Sequence, residues 1–199
     1  MSAVTLAIRN LVAENDLPLT VTAVTEQSGI SRPTFYKYFP TIGSAVLHTH
    51  FGVLAELAEL LEAHGSIDPA STGRTKLFEQ VHRVHSVLRS RPDIISFFSF
   101  FDFNFRRWGL SAVERAEHAS VWAHGEFAFF AYFEAGRADG SIRSDLSPDV
   151  TVQSLLSSTL GLLQRMQIQD EWTAGVADDR ADAMFDALVS AWKALVTPR

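Results

Sequence analysis

Two short amphipathic pieces hinged at Gly29 constrain this chain more than anything else in it. The run Leu19–Phe39, LTVTAVTEQSGISRPTFYKYF, reads as two helices and a tight turn. Thr20 is a candidate N-cap, because its hydroxyl can accept a bond from an orphan N–H of a first helical turn. Val21 and Val24 then share a face, with Thr25 beside them. Gly29 supplies the left-handed residue that ends a helix without a Cβ penalty. Ile30 plugs the angle between the pieces, and Ser31 is a second N-cap. Pro33 falls in a first turn, where its missing N–H was unsatisfied anyway. Thr34, Phe35, Tyr36, Lys37, Tyr38 and Phe39 follow, and Pro40 stops the helix. Such a pair is a helix-turn-helix, whose second helix is sized for a DNA major groove.

The rest of the chain also reads as helices, which makes the fold class all-α. Ala3–Glu14 carries Val4, Ala7, Ile8, Leu11 and Val12 on one stripe. Thr41 caps a long helix, Ile42–Ala63, with Val46, Leu47, Phe51, Leu54, Leu57, Leu60 and Leu61 as its buried set, and Gly65 stops it. A loop, Gly65–Gly73, precedes a helix over Arg74–Arg89. Helices are then expected over Asp93–Trp108, from Leu110-Ser111 to about Arg137, over Asp149–Gln167 behind Ser147-Pro148, and from Asp178 to about Leu195. Asp170–Val176 is expected to be a loop.

The run Gly29–Thr41, G-I-S-R-P-T-F-Y-K-Y-F-P-T, resembles the signature of the TetR family of bacterial repressors. That signature is an Ala/Ser-Gly-Val/Ile-Ser turn, a small hydroxyl residue, an apolar residue, then Tyr-x-Tyr/His-Phe and a Ser/Thr/Asn cap. The chain departs from it at Ile42, where the family usually carries a lysine that reaches a phosphate, and in lacking a basic arm ahead of the first helix. The resemblance implies a helix-turn-helix DNA-binding domain over 1–48 and a helical ligand-binding and dimerisation domain over 49–199. The long helix Ile42–Ala63 would link them. On this reading Arg32 and Lys37 contact phosphates or base edges, with arginine the better bidentate reader of guanine. Thr34, Tyr36 and Tyr38 bond to phosphate or touch thymine methyls, Ser31 lies at the start of the same helix, and Thr20 and Thr22 reach the backbone.

The most unusual composition lies in DIISFFSFFDFNFRRW, Asp93–Trp108. Phe97, Phe101, Phe105 and Trp108 share one helical face, Phe98 joins its edge, and Phe100 and Phe103 point elsewhere. A helix apolar on most sides is buried on most sides. The run reads equally as plain core or as the wall of an apolar pocket, for which Asp102, Asn104, Arg106 and Arg107 would supply the few polar groups. The following helix would face it with Trp122, Phe129, Phe130 and Phe133. Glu126 among them is either a solvated or capped carboxylate or a polar contact to a ligand. Near the C-terminus, Leu155, Thr159, Leu162, Leu163, Phe185, Leu188 and Trp192 give two helices wide apolar faces. Such faces need more cover than one subunit gives. The resemblance implies a four-helix bundle with a second copy, hence a two-fold homodimer.

Composition excludes several other classes. The 199 residues are 47% hydrophobic, enough for a real core. No cysteine is present, which removes disulfides, thiolate metal sites and thiol nucleophiles and suits a reducing cytoplasm. No signal peptide and no membrane span are expected. The net charge of −6 argues against a generic polyanion binder. Within 1–48, Arg9, Arg32 and Lys37 balance Glu14, Asp16 and Glu26. His82 and His85, His118 and His124, and His48 and His50 lack the further ligands a metal needs, so neither metal nor cofactor is expected. No phosphate-cradling glycine loop and no G-x-S-x-G turn occurs, so no enzyme is indicated. The expectation is a regulator, most simply a repressor, that binds a near-palindromic operator as a homodimer and is released by an apolar or aromatic small molecule. A protein of the same fold that binds small molecules but has weak or no specific DNA binding is the alternative.

Overall fold

The computed structural model describes residues 2–14, 18–173 and 178–198. The described elements are helical: α1 (Ser2–Ala13), α2 (Val21–Ser28), α3 (Arg32–Tyr38), α4 (Ile42–Ala63), α5 (Gly73–Ser90), α6 (Pro92–Asn104), a 3₁₀ turn (Phe105–Arg107), α7 (Ala112–Ala138), α8 (Pro148–Thr173) and α9 (Asp178–Val196). No helix among the described residues is long and apolar enough to cross a membrane. The chain divides into two compact units. One is Met1–Ala58 with Asp93–His124, and the other is Glu59–Pro92 with Gly125–Arg199. The 48/49 boundary drawn on the sequence therefore falls inside α4 and inside the first unit.

In the first unit, local chemistry sets the ends of the short helices. Thr20 Oγ1 accepts the Ala23 N–H at 3.1 Å, and Ser31 Oγ accepts that of Thr34 at 3.3 Å. Gly29 has φ +69°, the left-handed turn the sequence requires. Thr41 Oγ1 accepts the Ser44 N–H at 3.0 Å and starts α4. Val4, Ala7, Ile8, Leu11, Val24, Phe35 and Phe39 are all buried. Arg9 bridges Glu56 at 2.6 Å and Asp93 at 2.7 Å, tying α1 to α4 and α6.

The aromatic run departs from a single helix. α6 ends at Asn104, whose Nδ2 donates to the Phe100 carbonyl at 2.9 Å, and Phe105–Arg107 tightens into the 3₁₀ turn. Gly109 then takes φ +61°. Trp108 is thereby removed from the face of Phe97 and Phe101 and packs against Phe100 at 5.3 Å. Of the two residues expected off that face, Phe100 is buried, whereas Phe103 is 78% exposed, so the helix is not covered on every apolar side.

In the second unit a core forms from Leu77, Phe78 and Val81 of α5, Phe129 and Phe133 of α7, Ile142 between α7 and α8, Val152 and Leu155 of α8, and Phe185, Val189 and Val196 of α9. α5 crosses α7 glycine to glycine: a Cβ on Gly73 would meet the Gly136 nitrogen at 2.0 Å. The Asp139 carboxylate accepts the Gly73 N–H at 2.7 Å, and Ser141 Oγ accepts that of Arg74 at 3.1 Å. Arg83 donates to the Leu61 and Gly65 carbonyls at the end of α4. α8 continues through Thr173, past the loop expected from Asp170. Gln169–Thr173 holds no glycine or proline to stop a helix. Residues 174–176 of that expected loop lie outside the described residues.

Candidate nucleic-acid interface and aromatic cluster

α3 is a short helix held by one anchor. Phe35 is fully buried, meeting Phe39 at 5.6 Å and the edge of Tyr36 at 5.5 Å. Around it Ser31, Arg32, Thr34, Tyr36, Lys37 and Tyr38 are all exposed. Thr34, Lys37 and Tyr38 share a face by their three- and four-residue spacing. The Lys37 ammonium lies 5.9 Å from the Tyr38 ring centroid. Arg32 donates to Thr22 Oγ1 at 2.5 Å, which joins α3 to α2 and presents one guanidinium-hydroxyl pair at the surface. The hydroxyls of Thr20 and Ser31 already accept capping bonds, and Ser31 Oγ also lies 2.8 Å from Thr34 Oγ1.

The first residues after this head are clasped by the segment between α6 and α7. Gly43 packs under the Trp108 backbone. Ser44 Oγ donates to Glu114 Oε1 at 2.5 Å, while Glu114 Oε2 accepts the Ser111 N–H at 2.7 Å and Ser111 Oγ accepts the Glu114 N–H at 3.2 Å. That last reciprocal pair is a capping box. The Ser44 hydroxyl, and then the Ser111 backbone and side chain, hold the Glu114 carboxyl below its usual value.

The residues expected to line a pocket fall in both units. Phe97 and Phe101 are buried in the first unit, with Phe105, Trp108 and Trp122 half-buried and Asp102 exposed. Of these, Phe97, Phe101 and Trp122 lie around His50, which the sequence marks only as a histidine without further metal ligands. It stacks on Phe101 at 3.8 Å and 6°. Phe51, Phe97, Phe98, His118 and Trp122 also lie around it. Desolvation, reinforced by His118, lowers the His50 pKa from 6.5 to about 3, so the imidazole is neutral. Its position four residues after Val46 and three before Val53 was the available signal, since both of those are buried. Phe129 and Phe133 belong instead to the core of the second unit, with Phe130 against it. Glu126 is buried there, accepting from Gln153 Nε2 at 2.6 Å through Oε2, while Oε1 has no partner.

Four of the residues expected at a dimer face, Leu155, Thr159, Leu163 and Phe185, are buried within the chain itself. The reason is that α8 and α9 close over α5 and α7 of the same chain. Leu162, Leu188 and Trp192 stay half-buried, with Trp192 Nε1 donating to Ser158 Oγ at 3.0 Å. His82 and His85 pack on Phe185, His85 stacked at 3.6 Å and His82 edge-on at 5.2 Å. Burial lowers both pKa values.

Solved structures share this arrangement over nearly the whole chain. A transcription regulator of the TetR family from Shewanella sp. PV-4 superposes with a TM-score of 0.73 at 13% identity, covering 100% of this chain and 98% of that one. The fold is that of the TetR-family regulators. A TetR-family regulator from Rhodococcus sp. matches with a TM-score of 0.73 at 14% identity, over 96% of this chain and 97% of that one. FadR from Bacillus subtilis, solved with stearoyl-CoA, matches with a TM-score of 0.68 at 14% identity, over 98% of both. No family model and no curated protein matches the sequence. Shared across such low identity, the TetR fold is carried by helix order and turn geometry rather than by side chains.

Proposed function

We propose that the protein is a ligand-responsive DNA-binding transcriptional regulator, acting as a repressor in the cytoplasm, rather than an enzyme. The observation that carries this reading is the outer surface of α3. Arg32, Thr34, Tyr36, Lys37 and Tyr38 are exposed together on a helix whose one buried residue is Phe35. A helix kept for packing alone has no reason to hold two cations and two tyrosines in water. Two such heads in a homodimer, joined through the half-buried Leu162, Leu188 and Trp192 of α8 and α9, would read a near-palindromic operator. A largely apolar effector bound among the aromatic residues would favour a conformer with misplaced heads and so weaken DNA binding by linkage. FadR from Bacillus subtilis was solved with stearoyl-CoA, whose long acyl chain is apolar, and this supports an effector with an apolar portion.

One observation favours the alternative, a TetR-fold ligand binder with little DNA affinity. Of the cations in 1–48, Arg9 is engaged by Glu56 and Asp93, which leaves Arg32 and Lys37 for phosphates. The deciding experiment is binding to DNA from around the protein's own gene at two salt concentrations, with Arg32→Ala and Tyr36→Ala alongside. A specific, salt-sensitive site lost in both variants supports the regulator. No specific site at low salt, from folded dimeric protein, favours the ligand binder.

A further inference from the structure

His50 is 1% exposed, and neither of its ring nitrogens has a hydrogen-bond partner. A neutral imidazole carries one donor and one acceptor, and leaving them buried without partners is unfavourable. A core position here would be served better by phenylalanine, which the chain uses freely on either side.

Every ring around His50 is aromatic. Phe101 covers one face at 3.8 Å; His118 lies at 5.2 Å, Phe98 at 5.6 Å, Phe97 at 6.3 Å, and Trp122 near-parallel at 6.5 Å. His118 and Trp122, one turn apart on α7, are only half-buried and form the side of this box nearest solvent. The phenylalanines offer flat apolar contact, and His50 offers the polar group that orients a guest. An ion is a poor guest. Among the described residues no charged side chain acts on the His50 ring, and Asp102, the carboxylate whose field reaches His118, is itself exposed. A buried charge without a partner is costly.

We propose that the His50 box is the effector subsite, and that it takes an uncharged planar aromatic molecule bearing a hydroxyl group, which donates to an imidazole nitrogen of His50. The guest enters by parting His118 and Trp122 from α4 and α6. His50 lies two turns along α4 from Gly43 and Ser44, so a guest that displaces it acts directly on the helix that begins just beyond the DNA-binding head. This rests on the effector-gated reading given above, but its test uses no DNA.

The test is titration of the full-length protein with naphthol, naphthoate, naphthylmethylammonium and naphthalene, followed by tryptophan fluorescence and calorimetry. Naphthol is expected to bind once per chain and change the tryptophan emission, a change that Trp122→Phe should largely remove. Naphthoate and naphthylmethylammonium are expected to bind at least about tenfold more weakly. His50→Phe keeps the rings and removes the nitrogens. It should weaken naphthol by about tenfold and leave naphthalene unchanged. Equal naphthol affinity in His50→Phe, a preference for either ion, or no binding at all overturns the proposal. Should His50→Phe fail to fold, the imidazole nitrogen NMR resonances of the wild type decide, since His50 must shift on adding naphthol. Histidine-dependent naphthol binding without any operator would leave this inference standing and remove the regulator. An operator without naphthol binding would do the reverse.

Discussion

Gly43 lies directly under the backbone of Trp108: a Cβ at position 43 would meet the Trp108 carbonyl oxygen at 2.1 Å. The obstacle is backbone, so it cannot rotate away. Gly43→Ala must shift either the start of α4 or the segment leading to α7, and overpacking of this kind costs about 1–3 kcal/mol. A lower melting temperature is expected, although the change improves helix propensity. An unchanged or higher one would show that this contact is not fixed.

On the DNA side, Arg32→Ala and Lys37→Ala should each weaken operator binding. An arginine that reads guanine contributes about 1–3 kcal/mol of discrimination, so Arg32→Ala should also relax the sequence preference at one position. Lys37→Ala, if its contact is to phosphate, should weaken all sites alike and reduce the salt slope by about one. Thr22→Val should mimic part of the Arg32→Ala effect, because Thr22 Oγ1 accepts from that guanidinium. Mobility-shift titrations over a salt series distinguish these outcomes.

His50 gives the stability a pH dependence whose sign is fixed. Its pKa is 6.5 in the unfolded chain and about 3 in the folded one, so between these limits the unfolded state binds the extra proton. Stability therefore rises with pH across that window and is lost as pH falls from about 6.5 toward 3, by roughly 3–5 kcal/mol in full. His50→Phe should flatten the curve in that range. Urea melts of both proteins at several pH values measure the difference, and parallel curves would mean that His50 is not held neutral by burial.

Glu114 titrates in the opposite sense. Its folded pKa is depressed, chiefly by the Ser44 hydroxyl, so its contribution is present above the unfolded carboxylate range and is lost as pH falls through the folded value. Ser44→Ala should move the Glu114 pKa up toward its ordinary value, which carboxyl NMR titration reads directly. Since the carboxylate is largely solvated, the change in stability should be small.

If the proposed homodimer forms through α8 and α9, Leu162→Glu and Leu188→Glu should shift the protein toward monomer in sedimentation, whereas Leu155→Ala and Phe185→Ala should chiefly lower stability. Leu155 and Phe185 fill the chain's own core, and truncations of that kind cost about 2–5 kcal/mol. Dissociation caused only by the second pair would place the interface elsewhere.

Much of the head was legible in the sequence because its determinants are local. Thr20, Ser31 and Thr41 each cap a helix with a hydroxyl a few residues from the N–H it accepts, and Gly29 takes a backbone conformation open to little else. The extent of α4 followed from the Thr41 cap and from Gly65, whose φ is +97°. None of these features needs a distant residue to define it.

Tertiary structure alone decided the rest. An aromatic run that is apolar on nearly every side has no periodicity to reveal where its helix stops, so the break at Asn104 and the reassignment of Trp108 could not be read from it. The two wide faces of α8 and α9 look alike in sequence. Which of their residues the chain keeps for itself depends on where α5 and α7 lie, and that placed Leu155 and Phe185 inside while Leu162 and Leu188 stayed nearer the surface. His50 shows the same limit most sharply. Read along the chain, it is a polar residue two positions from another histidine; only residues some 50 to 70 positions away close over it and leave its nitrogens without partners. Caps and turns are settled by bonds a few residues long, whereas burial is settled by whatever the rest of the chain brings to the same place.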